Sequence, residues 1–281
     1  FMSALLTSEI GNQDKILKYI AVCKDIDIEV HKPDVQLSRR EFIVRNESII
    51  YGLGGIKNVG DEAIREIVNA REEGGPFLSF LDLCSRVNLR KVTKRVLESL
   101  IKGGALDCFE LPRAALLAAL DIVVARAQKK LKEKQSNQIS LLALAPKVEA
   151  PTVGGIGFPC PEEKTAEWDE DQKLRFEKES LGFFLSSHPL QPYRQEYSRL
   201  ALQPLEEARD MADKSVIRCA ILVTGIREIL NKRGNRMAFV AIEDLTASAE
   251  VTFFTEELTA ARELLNSDQP LLLTAAIDNR D

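Results

Sequence analysis

Two short glycine turns fix most of what residues 52–136 can become. One is Gly54-Gly55-Ile-Lys-Asn-Val-Gly60 and the other Gly103-Gly104-Ala-Leu-Asp107, and each delivers the chain toward a run of helical periodicity. Glycine tolerates the backbone angles and close approaches that such turns need. Behind Gly60, the spacing of Ile64, Ile67 and Val68 predicts a helix from about Asp61 to Glu73, which Gly74-Gly75-Pro76 stops. Ser79 is placed to cap a short helix carrying Phe80 and Leu83. Val92, Val96, Leu97, Leu100 and Ile101 predict the next helix, ended by Gly103-Gly104. Pro112 suits the first turn of a longer one, with an apolar stripe of Leu116, Leu117, Leu120, Val123, Val124 and Ala127. Its tail of Lys129, Lys130, Lys132 and Lys134 suits the negative end of the helix dipole.

The rest of the chain reads differently. Residues 1–50 open with a helix that Asn12 can cap, with Ile16, Leu17, Ile20 and Cys23 at helical spacing. An extended segment from Ile28 is broken by Pro33, and strand-like runs follow near Phe42–Val44 and Ile49–Tyr51. Ala145–Cys160 is rich in Pro and Gly and reads as a linker. Residues 161–180 carry eight acids against four bases, and a helix is expected from near Trp168 to Leu181. From 213 the period changes to two: Val216–Ile229, Met237–Ile242, Ala249–Phe254 and Leu271–Ile277 read as strands, with a helix over Glu256–Leu265. Four strands with a helix between the third and fourth follow the order of a five-stranded OB barrel, whose fifth strand would lie beyond Asp281. The expected fold class is therefore multidomain α+β: a helical helix-hairpin-helix domain, a linker, and a β-barrel OB-fold domain. The expected boundaries are 1–50, 51–146, 147–212 with a helix in the linker, and 213–281 as an incomplete OB domain.

Composition narrows the function classes. At 281 residues the chain is long enough for two or three compact units, and 45 % apolar residues can fill their cores. A net charge of −5 excludes a globally basic binder but permits a local basic patch. No run of 18 apolar residues suggests a membrane span, and no signal peptide opens the chain. Cys23, Cys84, Cys108, Cys160 and Cys219 form no C-x-x-C pair, so a reduced, cytoplasmic protein is expected. The chain starts Phe1-Met2 and ends abruptly, shortly after an apolar run, which reads as a segment of a longer protein.

Four constellations carry chemistry. In the first turn, backbone N–H groups at a helix start suit a phosphate oxygen, and Ala63 lets helices pack closely. This is the logic of a helix-hairpin-helix DNA module, with Gly55, Lys57, Asn58 and Gly60 as contact candidates; an ordinary helix–helix turn is the alternative. Asp61 and Glu62 cap the helix but repel an anion. The second turn resembles a degenerate second hairpin. Between Arg86 and Lys134 there are 12 bases and 5 acids, a local excess of seven that includes Arg90, Lys91, Lys94 and Arg95. That run is either a solvated face or a track for DNA phosphates. The third constellation, Gln138-Ile139-Ser140-Leu141-Leu142, can enter a groove as an extended peptide, with Gln138 in a polar pocket and the leucines in an apolar one. The fourth is the basic turn Arg227, Lys232, Arg233 and Arg236 beside Phe239, Phe253 and Phe254, a composition suited to single strands. Alternation puts Phe253 and Phe254 on opposite faces, so one of them at most can stack, and two of the three rings are expected in the core.

Other chemistry is missing. There is no P-loop motif. The two histidines, His31 and His188, make a triad or a metal site improbable, and no metal ligand is assigned. Asp25/Asp27 and Asp169/Asp171 read as solvated surface.

The ordered set of longer motifs resembles the C-terminal half of the alpha subunit of bacterial DNA polymerase III. The stretches that carry this are Phe1-Met-Ser-Ala-Leu-Leu-Thr-Ser-Glu9, Tyr51-Gly-Leu-Gly-Gly-Ile-Lys-Asn-Val-Gly60 and Arg71-Glu-Glu-Gly-Gly-Pro-Phe77. They continue with Leu89-Arg-Lys-Val-Thr-Lys-Arg-Val-Leu-Glu-Ser-Leu-Ile101, Glu177-Lys-Glu-Ser-Leu-Gly-Phe-Phe-Leu-Ser-Ser-His-Pro189 and Arg233-Gly-Asn-Arg-Met-Ala-Phe239. The resemblance implies that residues 1–50 end the polymerase fingers and that 51–146 form a clamp-binding domain gripping duplex DNA. It makes Gln138–Leu142 the sliding-clamp motif and 213–281 an OB domain meeting single-stranded template. The family's clamp motif usually ends in phenylalanine, and Leu142 departs from it, at an anchoring cost of about 1–2 kcal/mol. The catalytic aspartates and the Mg2+ they hold would lie in a palm upstream of Phe1, so no catalytic residue and no cofactor is expected within this chain. Implied partners are the sliding clamp, duplex and single-stranded DNA, and other replisome subunits, with no membrane. The alternatives are a non-catalytic DNA-binding scaffold made of the same modules, or an error-prone polymerase relative. A NAD-dependent DNA ligase also combines hairpins with an OB domain. It places them in the opposite order, however, and needs a four-cysteine zinc site that these cysteines cannot form.

Overall fold

A computed structural model describes residues 1–135, 155–230, 234–267 and 269–278. It divides into two compact units, Phe1–Ser186 and Ser187–Asp281. Among the described residues no helix is long and apolar enough to cross a membrane.

Unit 1 begins with α1 (Met2–Ser8) and α2 (Gln13–Asp25). Asn12 caps α2 by accepting from the Lys15 N–H. The short strands β1 (Val30–His31), β2 (Ile43–Arg45) and β3 (Ser48–Ile50) form a sheet in the order β1-β3-β2, with β1 parallel and β2 antiparallel to β3. A single 3-10 turn, Leu53–Gly55, leads to α3 (Asp61–Gly74). Helix α4 (Phe80–Arg86) is capped by Ser79, whose hydroxyl accepts from the Asp82 N–H. Helix α5 (Lys94–Lys102) starts two residues later than Val92 because Thr93 takes the cap, accepting from the Val96 N–H. Helix α6 (Arg113–Gln135) starts just after Pro112. Its N–H groups at Arg113 and Ala114 donate to the Glu167 carboxylate at 3.0 and 3.2 Å, a cap brought from 54 and 53 residues away. Helix α7 (Glu170–Leu181) is capped by Asp169 and ends at Gly182 in the left-handed region.

One core runs through unit 1. Leu6, Ile16, Val35 and Phe42 pack with Ile64, Ile67, Leu97, Leu100, Leu120, Ile156 and Leu181. Residues 1–50 thus share their apolar interior with the helices that follow, and no core boundary falls at residue 50. The linker expected over 145–160 is also corrected at its far end. Gly155 and Ile156 accept from the Phe80 and Leu81 N–H groups at 3.1 and 2.9 Å, and Ile156 and Phe158 are buried. Apolar side chains at those two positions outweigh the flanking glycines.

Unit 2 contains the short helix α8 (Glu196–Arg199), a 3-10 turn at Leu205–Arg209, and an antiparallel sheet. Its strands are β4 (Val216–Leu230), β5 (Arg236–Glu243), β6 (Ser248–Phe253) and β7 (Leu271–Ala276), with α9 (Thr255–Leu265) between β6 and β7. The order is β6-β5-β4-β7, an OB-like half barrel. The long strand β4 serves both sides: Val216–Ile221 pairs with β7, and Leu222–Leu230 with β5. A bulge between Val223 and Gly225 reverses the side-chain parity of β4. Cys219, Ile221 and Val223 face the core before it, whereas Ile226 lies opposite the core residue Val240 after it. Buried Asp244 organises the β5–β6 turn. One of its oxygens accepts from the Thr246 and Ala247 N–H groups at 2.7 and 2.8 Å, and the other accepts from the Leu205 N–H at 2.7 Å.

Candidate nucleic-acid interface

The first hairpin is built around the buried ring of Tyr51. A Cβ on Gly55 would sit 2.7 Å from that ring, so only glycine fits there, and the Tyr51 hydroxyl donates to the Gly55 carbonyl at 3.3 Å. Gly55 is buried, which makes its role packing against Tyr51 and not direct contact with a ligand. Lys57, Asn58 and Gly60 are exposed. The Lys57 N–H donates to the Ser180 carbonyl at 2.7 Å, and Asn58, in the left-handed region, reaches the Ser99 hydroxyl of α5 at 3.4 Å. The turn is therefore seated between α5 and α7. Gly60 caps α3 with no side-chain bond, and Ala63 behind it is buried. Asp61, expected to repel an anion, pairs with Arg40 at 2.8 Å, which offsets much of its charge.

The second turn is locked by charge. Gly104 lies at φ +77°, and a Cβ there would meet the Arg113 guanidinium at 2.2 Å. Arg113 is 6 % exposed and grips Asp107 with two parallel bonds of 2.8 and 2.7 Å, while its third nitrogen donates to the Lys102 carbonyl. Lys32 reaches the same carboxylate at 2.6 Å. Burial pushes Asp107 up, but Arg113 and Lys32 outweigh it and hold the carboxylate below its ordinary value. No sequence spacing announces this cluster; the one hint is an arginine directly after a helix-starting proline.

The basic run sorts into inward and outward members. Arg86 turns in, donating to the carbonyls of Ala70, Gly75 and Pro76 and lying over the Phe77 ring. Lys102 sits over Phe176 and pairs with Glu179, and Arg126 covers Phe158. Arg90, Lys91, Lys94 and Arg95 point outward and are exposed. Lys91 pairs with Glu66 at 2.8 Å and Lys94 with Asp121 at 2.7 Å. Arg90 and Arg95 have no ion pair among the described residues. Between Arg86 and Lys102 the outward bases thus gather at the start of α5, while Lys129, Lys130 and Lys132 lie exposed near the far end of α6.

In unit 2 the bulge puts Arg227 and Phe239 opposite each other on the face away from the core, with the guanidinium 4.8 Å from the ring centre. Arg227 also approaches Glu250 at 3.9 Å. Of the three phenylalanines, Phe253 packs on the core, whereas Phe239 is half-buried on the outer face and Phe254 is 58 % exposed at the start of α9. One ring in the core, where two were expected, follows from the bulge and from the helix cap at Phe254. Arg236 is exposed. Lys232 and Arg233 lie outside the described residues, as do Gln138, Ile139, Ser140, Leu141 and Leu142. All five cysteines are free thiols, and among the described residues no cluster of His, Cys, Asp or Glu could hold a metal ion.

Residues 27–116 match the helix-hairpin-helix motif family, a span that contains both glycine turns. The chain is 35 % identical over 282 residues to DNA polymerase III subunit alpha of Neisseria meningitidis serogroup A, a match covering 100 % of this chain and 23 % of the relative. It is 32 % identical over 304 residues to the same subunit of Pseudomonas aeruginosa, covering 100 % of this chain and 25 % of the relative. Against that of Borreliella burgdorferi it is 35 % identical over 268 residues, 94 % of this chain and 23 % of the relative. The chain spans about a quarter of the length of these relatives. Matched end to end at this level, with its paired turns inside a helix-hairpin-helix match, the chain is similar over its whole length to about one quarter of the length of bacterial DNA polymerase III alpha subunits.

Proposed function

We propose that this chain is the DNA-holding and clamp-tethering part of a replicative DNA polymerase alpha subunit, a DNA-directed DNA polymerase whose catalytic aspartates and Mg2+ lie outside it. The observation that carries the reading is the convergence of the helix-hairpin-helix match over 27–116 with the exposed bases Arg90, Lys91, Lys94 and Arg95 beside the first turn. Phosphate contacts of this kind hold a duplex without reading its sequence. Within unit 1, residues 1–50 act as the end of the fingers and 51–146 as the clamp-binding domain, with Gln138–Leu142 entering the clamp groove. Unit 2 meets single-stranded template through Arg227, Arg236 and Phe239, joined by Lys232 and Arg233. Clamp attachment makes re-binding of a primer end a local event at high effective concentration.

Calorimetry against the bacterial sliding clamp tests the tether, comparing wild type with the double variant Gln138→Ala, Leu141→Ala. Binding that the double variant abolishes supports the reading. Binding that survives moves the contact to another segment. A wild-type chain that fails to bind removes clamp tethering from the function and leaves a DNA-binding role.

A further inference from the structure

Three basic side chains around the first hairpin are each held by a carboxylate of the same surface. Arg40 donates to Asp61 at 2.8 Å, Lys91 to Glu66 at 2.8 Å, and Lys94 pairs with Asp121 at 2.7 Å. The pairs are tertiary. Asp61 and Glu66 come from α3, the helix that follows the turn, and Asp121 from α6, which packs against α5. Arg90 and Arg95, each adjacent in sequence to one of the paired lysines, are exposed and have no ion pair among the described residues. A carboxylate oxygen at this distance takes the place that a phosphate oxygen would occupy on the same ammonium. Lys91, Lys94 and Asp121 are exposed and Glu66 is half-buried, so salt reaches both pairs and a phosphate can displace the carboxylates.

We propose that Glu66 and Asp121 are positioning residues that set how tightly this surface holds duplex DNA, by occupying Lys91 and Lys94 in the free protein and yielding them to backbone phosphates. The inference rests on reading unit 1 as a duplex-binding surface. Binding then exchanges one anion for another at two lysines, while Arg90 and Arg95 make their phosphate contacts outright. The hold is weaker than the number of bases implies. It is indifferent to sequence and free to move along the duplex, as a holder following a primer end requires. The bonds to Glu66 and Asp121 raise the Lys91 and Lys94 ammonium groups above their ordinary values, and the bond from Lys91 lowers Glu66. All three directions favour the charged form of the group concerned.

The test is anisotropy of a short fluorescent duplex of mixed sequence, titrated with the whole chain at several salt concentrations. Glu66→Gln and Asp121→Asn should each tighten binding about threefold and steepen the plot of log affinity against log salt by the equivalent of about one phosphate. Glu73→Gln is the control. Glu73 lies two turns further along α3, is exposed, and has no ion pair among the described residues. It reports the general effect of removing a negative charge and should change affinity by less than about twofold. In a Lys91→Gln background, Glu66→Gln should do no more than the control. A gain from Glu66→Gln that equals the control, or that survives in the Lys91→Gln background, overturns the inference while leaving the duplex reading intact. Failure of both wild type and Glu66→Gln to bind the duplex overturns the duplex reading and the inference with it.

Discussion

Arg113 is a buried cation of unit 1 that depends on its partners. A guanidinium that is 6 % exposed is tolerable only because the Asp107 carboxylate and the Lys102 carbonyl accept its bonds. Removing one partner strands the other, so Arg113→Ala should cost about 3–5 kcal/mol of unit 1 stability in urea unfolding. Arg113→Lys should recover only part of this, because the two parallel bonds to Asp107 need the planar fork. Asp107 adds a pH dependence whose sign follows from its lowered value. A carboxylate depressed in the folded state contributes stability above its unfolded value of about 3.9, and this is lost as pH falls through the folded value. The urea midpoint of wild type should drop below about pH 4, and Asp107→Asn should flatten that drop while being less stable at pH 7. Glu177 works in the opposite direction. Burial raises it even though two N–H groups donate to it at 2.7 Å, so it does not feed the acid limb. In unit 2, Asp244→Ala would leave the Leu205, Thr246 and Ala247 N–H groups without their acceptor, at an expected cost of about 2–3 kcal/mol.

Helix α5 divides its two duties cleanly. Val96, Leu97, Leu100 and Ile101 are buried, and the bases at and just before its start are exposed. Reversing Arg90, Lys91, Lys94 and Arg95 to glutamate places acids near a helix N-terminus, where the dipole favours them, so the helix should survive and far-UV circular dichroism should not change. Duplex affinity should nevertheless fall, and its salt slope should flatten by roughly 0.9 for each phosphate that is no longer neutralised. An unchanged slope would return this stretch to a plain solvated face. In the β sheet, Phe239→Ala should weaken single-strand binding by about 1–3 kcal/mol if a base stacks there. Phe253→Ala should instead destabilise unit 2, since that ring packs on its core. These elements were legible at different depths. Periodicity placed α3 and the four strands of unit 2, and capping residues helped to place α4 and α7. The sequence could not disclose what depends on distant partners. Glu167 caps α6 across 54 residues, Glu66 and Asp121 pair with two bases of the expected patch, and Gly155–Phe158 pack where a linker was expected. The β4 bulge was hidden for a local reason, since Val223-Thr-Gly225 continues an acceptable strand pattern while shifting its register.

At the scale of the whole chain, the proposed function joins two modest attachments. The proposed hairpin surface is moderated by its own carboxylates, and the proposed clamp motif ends in Leu142, a smaller anchor than an aromatic ring. Neither attachment needs to be strong, because a second one made on an already bound assembly is intramolecular. It can raise avidity by about 10²–10⁴ without any new bond. The expected outcome is that the chain stays far longer on primer-template DNA carrying a loaded clamp than on DNA alone or on free clamp alone. Single-molecule residence times measure this directly. Disabling the clamp motif with Gln138→Ala and Leu141→Ala, or the duplex surface with the four reversals at Arg90, Lys91, Lys94 and Arg95, should each collapse the residence time to that of the other attachment by itself. Combining the two sets should then remove only that remaining attachment, a step far smaller than the drop either set causes alone. Residence times equal to those on DNA alone, with clamp binding intact in calorimetry, would mean that the two attachments cannot be made at once. The clamp motif would then serve recruitment, and the duplex surface alone would hold the primer end.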